Sequence, residues 1–437
     1  MKKLFLKIKE FAKDGLFHIF GGSIVSKVAG VLSTFFVIRQ LDKVAYGEYV
    51  SANNLFSYLT TFVGLGLANA ALQYCSEKIS QQKKNGIHSY SLWFGSVSNL
   101  LLVAVIFGMA FVKRAMGDHT EAYYLMLMSG LPFVMYLHTY LQIVLRIDLR
   151  NKEFSFSSMV YSVAMLVGNV VMTHFFGVPG LIVSTYIANV FGAVNSVFFL
   201  RKQRFFGELR KNREALTPSY RKEITNYGFI YAFTGFSSMM LLLLDVTCLD
   251  LILNDPSVLA DYKVATTIPT ACAFVPSCLL VYFYPKMVKA FGEGRQNGRR
   301  YVGQLMKVFL LVNGGIFVLM VLASPILIPL AFGSQYKGVE ITLVFCVLCV
   351  NYLVHAVQML YNHVLAVVKR LKANLVLSLA SGGVKIVLNM VMITWLGSMG
   401  AAISTVAVTC LITGLYMIYL HRFYKQPEVA EANPEEK

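Results

Sequence analysis

NVVMTHFFGVPGLIVST at residues 169–185 and NMVMITWLGSMGAAIST at residues 389–405 align without a gap at an offset of 220 residues. The two share an Asn, a Val, a Met, both Gly residues and the closing Ser-Thr pair. The match extends backwards, with Arg150 and Lys152 falling on Arg370 and Lys372. A weaker echo, at an offset of 213, sets YGEYVSA (46–52) over LADYKVA (259–265), where only Tyr49/Tyr262 and Ala52/Ala265 agree. A long ungapped repeat of apolar sequence punctuated by glycine marks a duplicated unit, so the chain is expected to consist of two related halves.

Composition says where those halves reside. Of 437 residues, 57% are hydrophobic and 14% charged, and mean hydropathy is +0.61. A soluble domain carries about 25% charged residues, so a soluble enzyme is excluded. A bilayer-spanning helix needs about 20 mostly apolar residues. Windows of that length predict twelve spans, at roughly 16–38, 49–73, 89–111, 122–145, 155–176, 180–200, 225–250, 262–284, 305–326, 339–362, 373–396 and 400–420. The fold class is therefore an all-α integral membrane protein with about twelve transmembrane helices in two pseudo-symmetric six-helix halves. The expected divisions are 1–200, a basic linker at 201–224, 225–420 and a tail at 421–437. The basic opening MKKLFLKIKEFAKD leads into an apolar run that reaches Arg39 without a small-residue cleavage site, so it reads as a retained first span and not a signal peptide.

The formal net charge of +17 resembles a nucleic-acid footprint, but its placement follows topology. With the N-terminus inside, 30 of the 39 Lys and Arg fall in cytoplasmic segments, 6 on the opposite side (Arg39, Lys43, Lys113, Arg114, Lys263, Lys337) and 3 within spans (Lys27, Lys307, Lys385). Cations are retained on the cytoplasmic side, which predicts both termini in the cytoplasm and no nucleic-acid partner. Six is even, so the two copies share one orientation. In parallel-repeat transporters of this kind the substrate site is expected between the halves.

Charge inside hydrocarbon costs about 2.5 to 3.5 kcal/mol per central residue, so the few such residues carry hypotheses. Lys27 and Lys385 each sit near mid-span. Ser23, Lys27, Gly30 and Thr34 share one helical face, as do Ser378, Ser381, Lys385 and Asn389. A third stripe is Asn351, His355, Gln358 and Asn362, and a fourth is His138, Gln142 and Arg146. Each stripe reads either as a polar cavity lining or as helix-to-helix hydrogen bonding. Asp245 is the acid well inside a span, with Asp250 nearer the outer end. It is expected to bind a coupling cation or, the favoured reading, to pair with Lys385.

Enzyme constellations are missing. The sequence has no G-x-x-x-x-G-K-[ST] loop, no H-E-x-x-H and no G-x-S-x-G. The C-x-x-C of Cys346 and Cys349 lies in VFCVLCV with no second pair, so its thiols read as packed or lipid-facing, not as metal ligands. No cofactor is expected beyond a possible coupling Na⁺ or H⁺.

FFVIRQLDKVAYGEYVSANNLFSYLTTFVGLGLANAALQY, ASPILIPLAFGSQYKGVE and the two NxxMxxxxG...GxxxST segments resemble the Wzx-type polysaccharide flippases of the multidrug/oligosaccharidyl-lipid/polysaccharide (MOP) exporter superfamily. The resemblance spans essentially the whole chain. It implies a MATE-like fold in the bacterial cytoplasmic membrane. It also implies alternating-access translocation of a polyprenyl-diphosphate-linked oligosaccharide for O-antigen, capsule or exopolysaccharide synthesis, alongside glycosyltransferases and a polymerase of the same pathway. Lys27, Lys385 and Arg146 would then hold the diphosphate, while Ser23, His138, Gln142, Asn351, His355 and Gln358 would meet sugar hydroxyls. By resemblance to lipid II flippases, Asp245, Asn389 and Thr405 are ion-coupling candidates, with Lys385 on the same face arguing against Na⁺. The rival expectations are a MATE-type cation/drug antiporter and a lipid II flippase.

Overall fold

A computed structural model describes residues 16–77, 79–202, 205–211, 214–368 and 370–425, and every regular element among them is helical. In chain order the helices are α1 (Leu16–Gln40), α2 (Lys43–Thr60), α3 (Leu67–Cys75), α4 (Gln81–Ala115), α5 (His119–Met128), α6 (Leu131–Ile147) and α7 (Asn151–Arg201). There follow α8 (Phe205–Lys211), α9 (Pro218–Leu253), α10 (Pro256–Cys272), α11 (Phe274–Gly292), α12 (Arg295–Phe332), α13 (Val339–Val367) and α14 (Leu371–Lys425). The chain divides into two compact units, Met1–Leu243 and Leu244–Lys437.

Eight of these segments are long and apolar enough to cross a membrane, and a ninth passage is formed by α9, which breaks near Met240. Two of the eight, 51 and 46 residues long, are hairpins that fold back on themselves. In α7 the fold falls at Gly177, whose φ of 60° and ψ of −139° suit glycine alone. Ser157 on one arm then meets Ser196 on the other at 2.7 Å, and Asn169 meets Ser184. In α14 the same turn occurs at Gly397 (φ 57°, ψ −132°), with Asn389 against Ser404. Counting each hairpin as two passages and adding the 25-residue α1 gives twelve among the described residues.

α2 and α10 start earlier than hydropathy windows place them, because capping sets their first turns. Asp42 accepts a hydrogen bond from the Val44 amide at 3.0 Å and opens α2, while Asp255 accepts from Ser257 at 2.9 Å and opens α10 with Pro256 in the first turn. The two aspartates are 213 residues apart, the offset of the weaker repeat. Lys263, expected in an outer loop, therefore lies seven residues inside α10 and is half buried. The second span, expected as one helix, is interrupted at Val63–Gly66, where Gly64, Leu65 and Gly66 all take positive φ. The Tyr136 ring packs on Gly64, and the Gly228 backbone of α9 approaches Gly66, leaving no room for a side chain at either glycine.

Each unit has its own core. Leu67, Ala71, Cys75, Ile87, Tyr136, Tyr140 and Ile224 pack in the first, and Met287, Phe309, Leu360, Val364, Ile412 and Tyr416 in the second. The large apolar residues that remain exposed, Leu311, Leu322, Ile326 and Leu330 along one side of α12 for example, form a lipid-facing surface. All seven cysteines are free, and among the described residues no group of His, Cys, Asp or Glu is arranged to hold a metal.

Candidate functional site

The second unit contains a buried polar clasp built on Asp245, eight residues before the end of α9. Its Oδ2 accepts from Lys385 Nζ at 3.0 Å, from Tyr262 Oη at 3.0 Å and from Thr405 Oγ1 at 2.7 Å. Its Oδ1 accepts from Asn389 Nδ2 at 2.9 Å, and Asn389 in turn accepts from Ser404. Asp245, Lys385 and Asn389 are 6%, 9% and 0% exposed. An ionised carboxylate offers about four lone-pair sites, and four donors meet this one, three at Oδ2 and one at Oδ1. A buried ion pair persists only when its remaining hydrogen-bonding capacity is met in this way.

The α14 hairpin explains why these groups converge. Lys385 and Asn389 are one turn apart on its first arm, and the turn at Gly397 folds Ser404 and Thr405 back beside them. The first unit repeats the arrangement without charge. Asn169 Nδ2 donates to Ser33 Oγ of α1 at 2.7 Å, and Ser184 caps Asn169 from the returning arm. At the 220 offset Lys385 corresponds to Met165, so the shared element is an Asn-Ser clasp and the ion pair is an addition peculiar to the second unit. Sequence reasoning did not assign Tyr262 to this site. Its signal was the Tyr49/Tyr262 match of the weaker repeat, which marked the position without saying what the hydroxyl reaches.

Lys27 is placed differently. Ala29, Ser33 and Val37 bury the α7-facing side of α1, and Ser26 donates to the Ser158 carbonyl at 3.5 Å. Lys27 stands off that side, exposed, eleven residues from one end of α1 and thirteen from the other. Open space surrounds Gly30, one turn along, and among the described residues no acid pairs with the lysine. The side chain of Ser23 lies outside the described residues.

The α6 stripe splits. His138 is 5% exposed, stacks on Tyr161 with ring centroids 4.7 Å apart, and lies 3.2 Å from Asn189 through Nδ1. Gln142 donates to Ser158 at 3.2 Å. Both residues join α6 to α7, the helix-to-helix alternative for that stripe, because Gly192 leaves the imidazole a slot in the facing helix. Arg146, at the end of α6, is exposed and rests over the Phe154 ring, 5.4 Å from its centroid. On α13, His355 is exposed, whereas Asn351 and Gln358 are half buried. Asn351 Oδ1 is buried without a hydrogen-bond partner among the described residues.

Two helical units, each with a glycine-hinged hairpin, define the class: a multi-pass membrane protein with a transporter fold. Residues 12–291 match the profile of a family described as "Polysaccharide biosynthesis protein", and the chain belongs to that family. No functionally curated protein matches it in sequence. Among solved structures it is similar to an inward-facing multidrug resistance MATE family transporter of the MOP superfamily. That match has a TM-score of 0.73 at 12% identity and covers 91% of this chain and 94% of that one. It is also similar to the lipid II flippase MurJ in an inward closed conformation (0.71, 13%, 92% and 87%) and to a MOP superfamily transporter from Pyrococcus furiosus described as having a binding pocket of reverse polarity (0.59, 13%, 93% and 94%). The fold is that of the MOP superfamily.

Proposed function

We propose that this protein is a flippase that carries a polyprenyl-diphosphate-linked oligosaccharide across the bacterial cytoplasmic membrane by alternating access, with both termini in the cytoplasm. Family membership supports a role in polysaccharide synthesis. The observation that carries the choice of substrate charge is the state of the carboxylate. Asp245 is consumed by Lys385, Asn389, Thr405 and Tyr262, while the exposed mid-helix Lys27 has no acid against it among the described residues. An exporter of cationic drugs needs a carboxylate open to its cargo, whereas an unmatched ammonium at mid-membrane favours an anion such as a diphosphate. Arg146, exposed at the end of α6, would add attraction at the cytoplasmic mouth.

The test is transport in proteoliposomes of a polyprenyl diphosphate bearing a fluorescent saccharide, with ethidium as the cationic comparator. Lys27→Ala is expected to reduce lipid-linked saccharide transport by about tenfold or more, the loss of one charge-assisted contact, and Lys27→Arg to retain most of it. Wild-type ethidium export, or full activity in Lys27→Ala, would overturn the reading.

A further inference from the structure

The first unit carries a second polar feature that the clasp and Lys27 do not use. On α9 the buried side is Ile224, Gly228 and Ala232, packed on the Val63–Cys75 region, and Phe229 and Phe233 give a separate apolar face. The remaining face runs from Tyr220 through Tyr227, Tyr231 and Thr234 to Ser238. Tyr227 and Tyr231 are 37% and 49% exposed. They open onto a groove of about 390 Å³ that Ile230, Thr234, Gly235 and Ser238 complete, within the range of roughly 300 to 1,000 Å³ usual for small-molecule sites. Tyr74 of α3 joins it edge-on, its ring centroid 5.6 Å from that of Tyr227, and its hydroxyl donates to Glu223 at 3.0 Å. Cations border the Pro218 end, where Lys83 Nζ lies 4.3 Å from the Tyr220 ring centroid and Arg221 sits over Tyr90.

An aromatic belt at the membrane interface would confine such rings to one level. Here the tyrosine rings run from Tyr220 to Tyr231, about 17 Å at 1.5 Å per residue. The Thr234 and Ser238 hydroxyls donate to the carbonyls of Ile230 and Thr234, whereas those of Tyr227 and Tyr231 have no hydrogen-bond partner among the described residues and would go unsatisfied in lipid. The face therefore borders water or a hydrated ligand. Pyranose rings present polarised C–H bonds on one side and hydroxyls around the rim. Tyrosine faces attract the former, and the Glu223 carboxylate and the serine and threonine oxygens accept from the latter.

We infer that the Tyr74–Tyr227–Tyr231 groove is the subsite that reads the sugar of the lipid-linked saccharide, an assignment that rests on the flippase reading above. The experiment uses full-length protein in nanodiscs and two probes. One is polyprenyl diphosphate carrying a single N-acetylglucosamine or galactose, and the other is the bare polyprenyl diphosphate. Wild type is expected to bind the glycosylated probes about tenfold more tightly, as one stacked ring contributes elsewhere. Tyr227→Ala with Tyr231→Ala should abolish that preference and leave bare-lipid affinity unchanged, and the two Phe variants should keep it. A preference retained in the double alanine variant, or absent from wild type, overturns the subsite. Failure of every probe to bind overturns the subsite together with the flippase reading, and the two failures are distinguished by the bare lipid.

Discussion

At the scale of single residues, the buried pair sets the largest energetic stake. Stripping solvent from two ions costs several kcal/mol each, and only the partner and the three further donors on Asp245 offset it. Asp245→Asn and Lys385→Met are each expected to cost about 3 to 5 kcal/mol, because each leaves one uncompensated charge. The double variant should recover most of that loss, read as the thermal midpoint of the purified protein in nanodiscs. Midpoints that simply add would show that the two do not act as a pair. A second expectation concerns cations. With Lys385 Nζ 3.0 Å from the carboxylate, Na⁺ has to displace an ammonium, so the wild-type midpoint should be the same in sodium and choline chloride. Lys385→Met leaves Asp245 with three neutral donors, and its midpoint should rise in sodium. A sodium-dependent wild type would contradict the idea that the lysine serves as the site's own cation.

At the scale of elements, the hairpins rest on one residue each. Gly177 and Gly397 occupy a backbone region closed to L side chains, so alanine at either should cost about 1 to 3 kcal/mol. Gly303, with open space where a Cβ would stand, should tolerate alanine or gain slightly from its helix propensity. Equal midpoints for all three variants would remove the argument from backbone geometry. The hairpins were legible in the sequence because their requirements are local: a glycine for the turn and, fifteen residues apart, an Asn and a Ser that meet when it closes. The span count was legible for the same reason, since length and hydropathy are properties of a window. The break at Val63–Gly66 was not, because an apolar window averages over a kink whose cause, the Tyr136 ring and the Gly228 backbone, lies elsewhere in the chain. Nor could periodicity decide that His138 faces α7, since a polar stripe looks the same whether it meets a cavity or a helix. The Asp245–Lys385 pair stood between these cases. Two opposite charges at nearby depth suggested each other, but Tyr262 and Thr405 are brought to the same oxygen only by packing of three separate helices.

At the scale of the whole molecule, the proposed orientation rests on charge, and the structure bears on the cations assigned to the outer side. The sequence assigns six cations to the outer side against thirty inside. One of the six, Lys113, is held by Asp118 at 3.1 Å and by Glu121 at 2.7 Å, so its charge is offset locally. A second, Lys263, lies within α10 and not in a loop. What remains on the side predicted to be outside is a small cationic minority, whereas in the proposed orientation the cytoplasmic segments would keep theirs beside anionic lipid, where each is worth about 1 kcal/mol. Reporter fusions test this directly. Green fluorescent protein joined after Lys425 should fluoresce and alkaline phosphatase at the same point should be silent, whereas phosphatase inserted at residues 116–118 should be active. Active phosphatase at the C-terminus would invert the molecule, turning Arg146 and the Tyr220 end of α9 away from the leaflet in which a lipid-linked saccharide is made, and would remove the direction of transport proposed here.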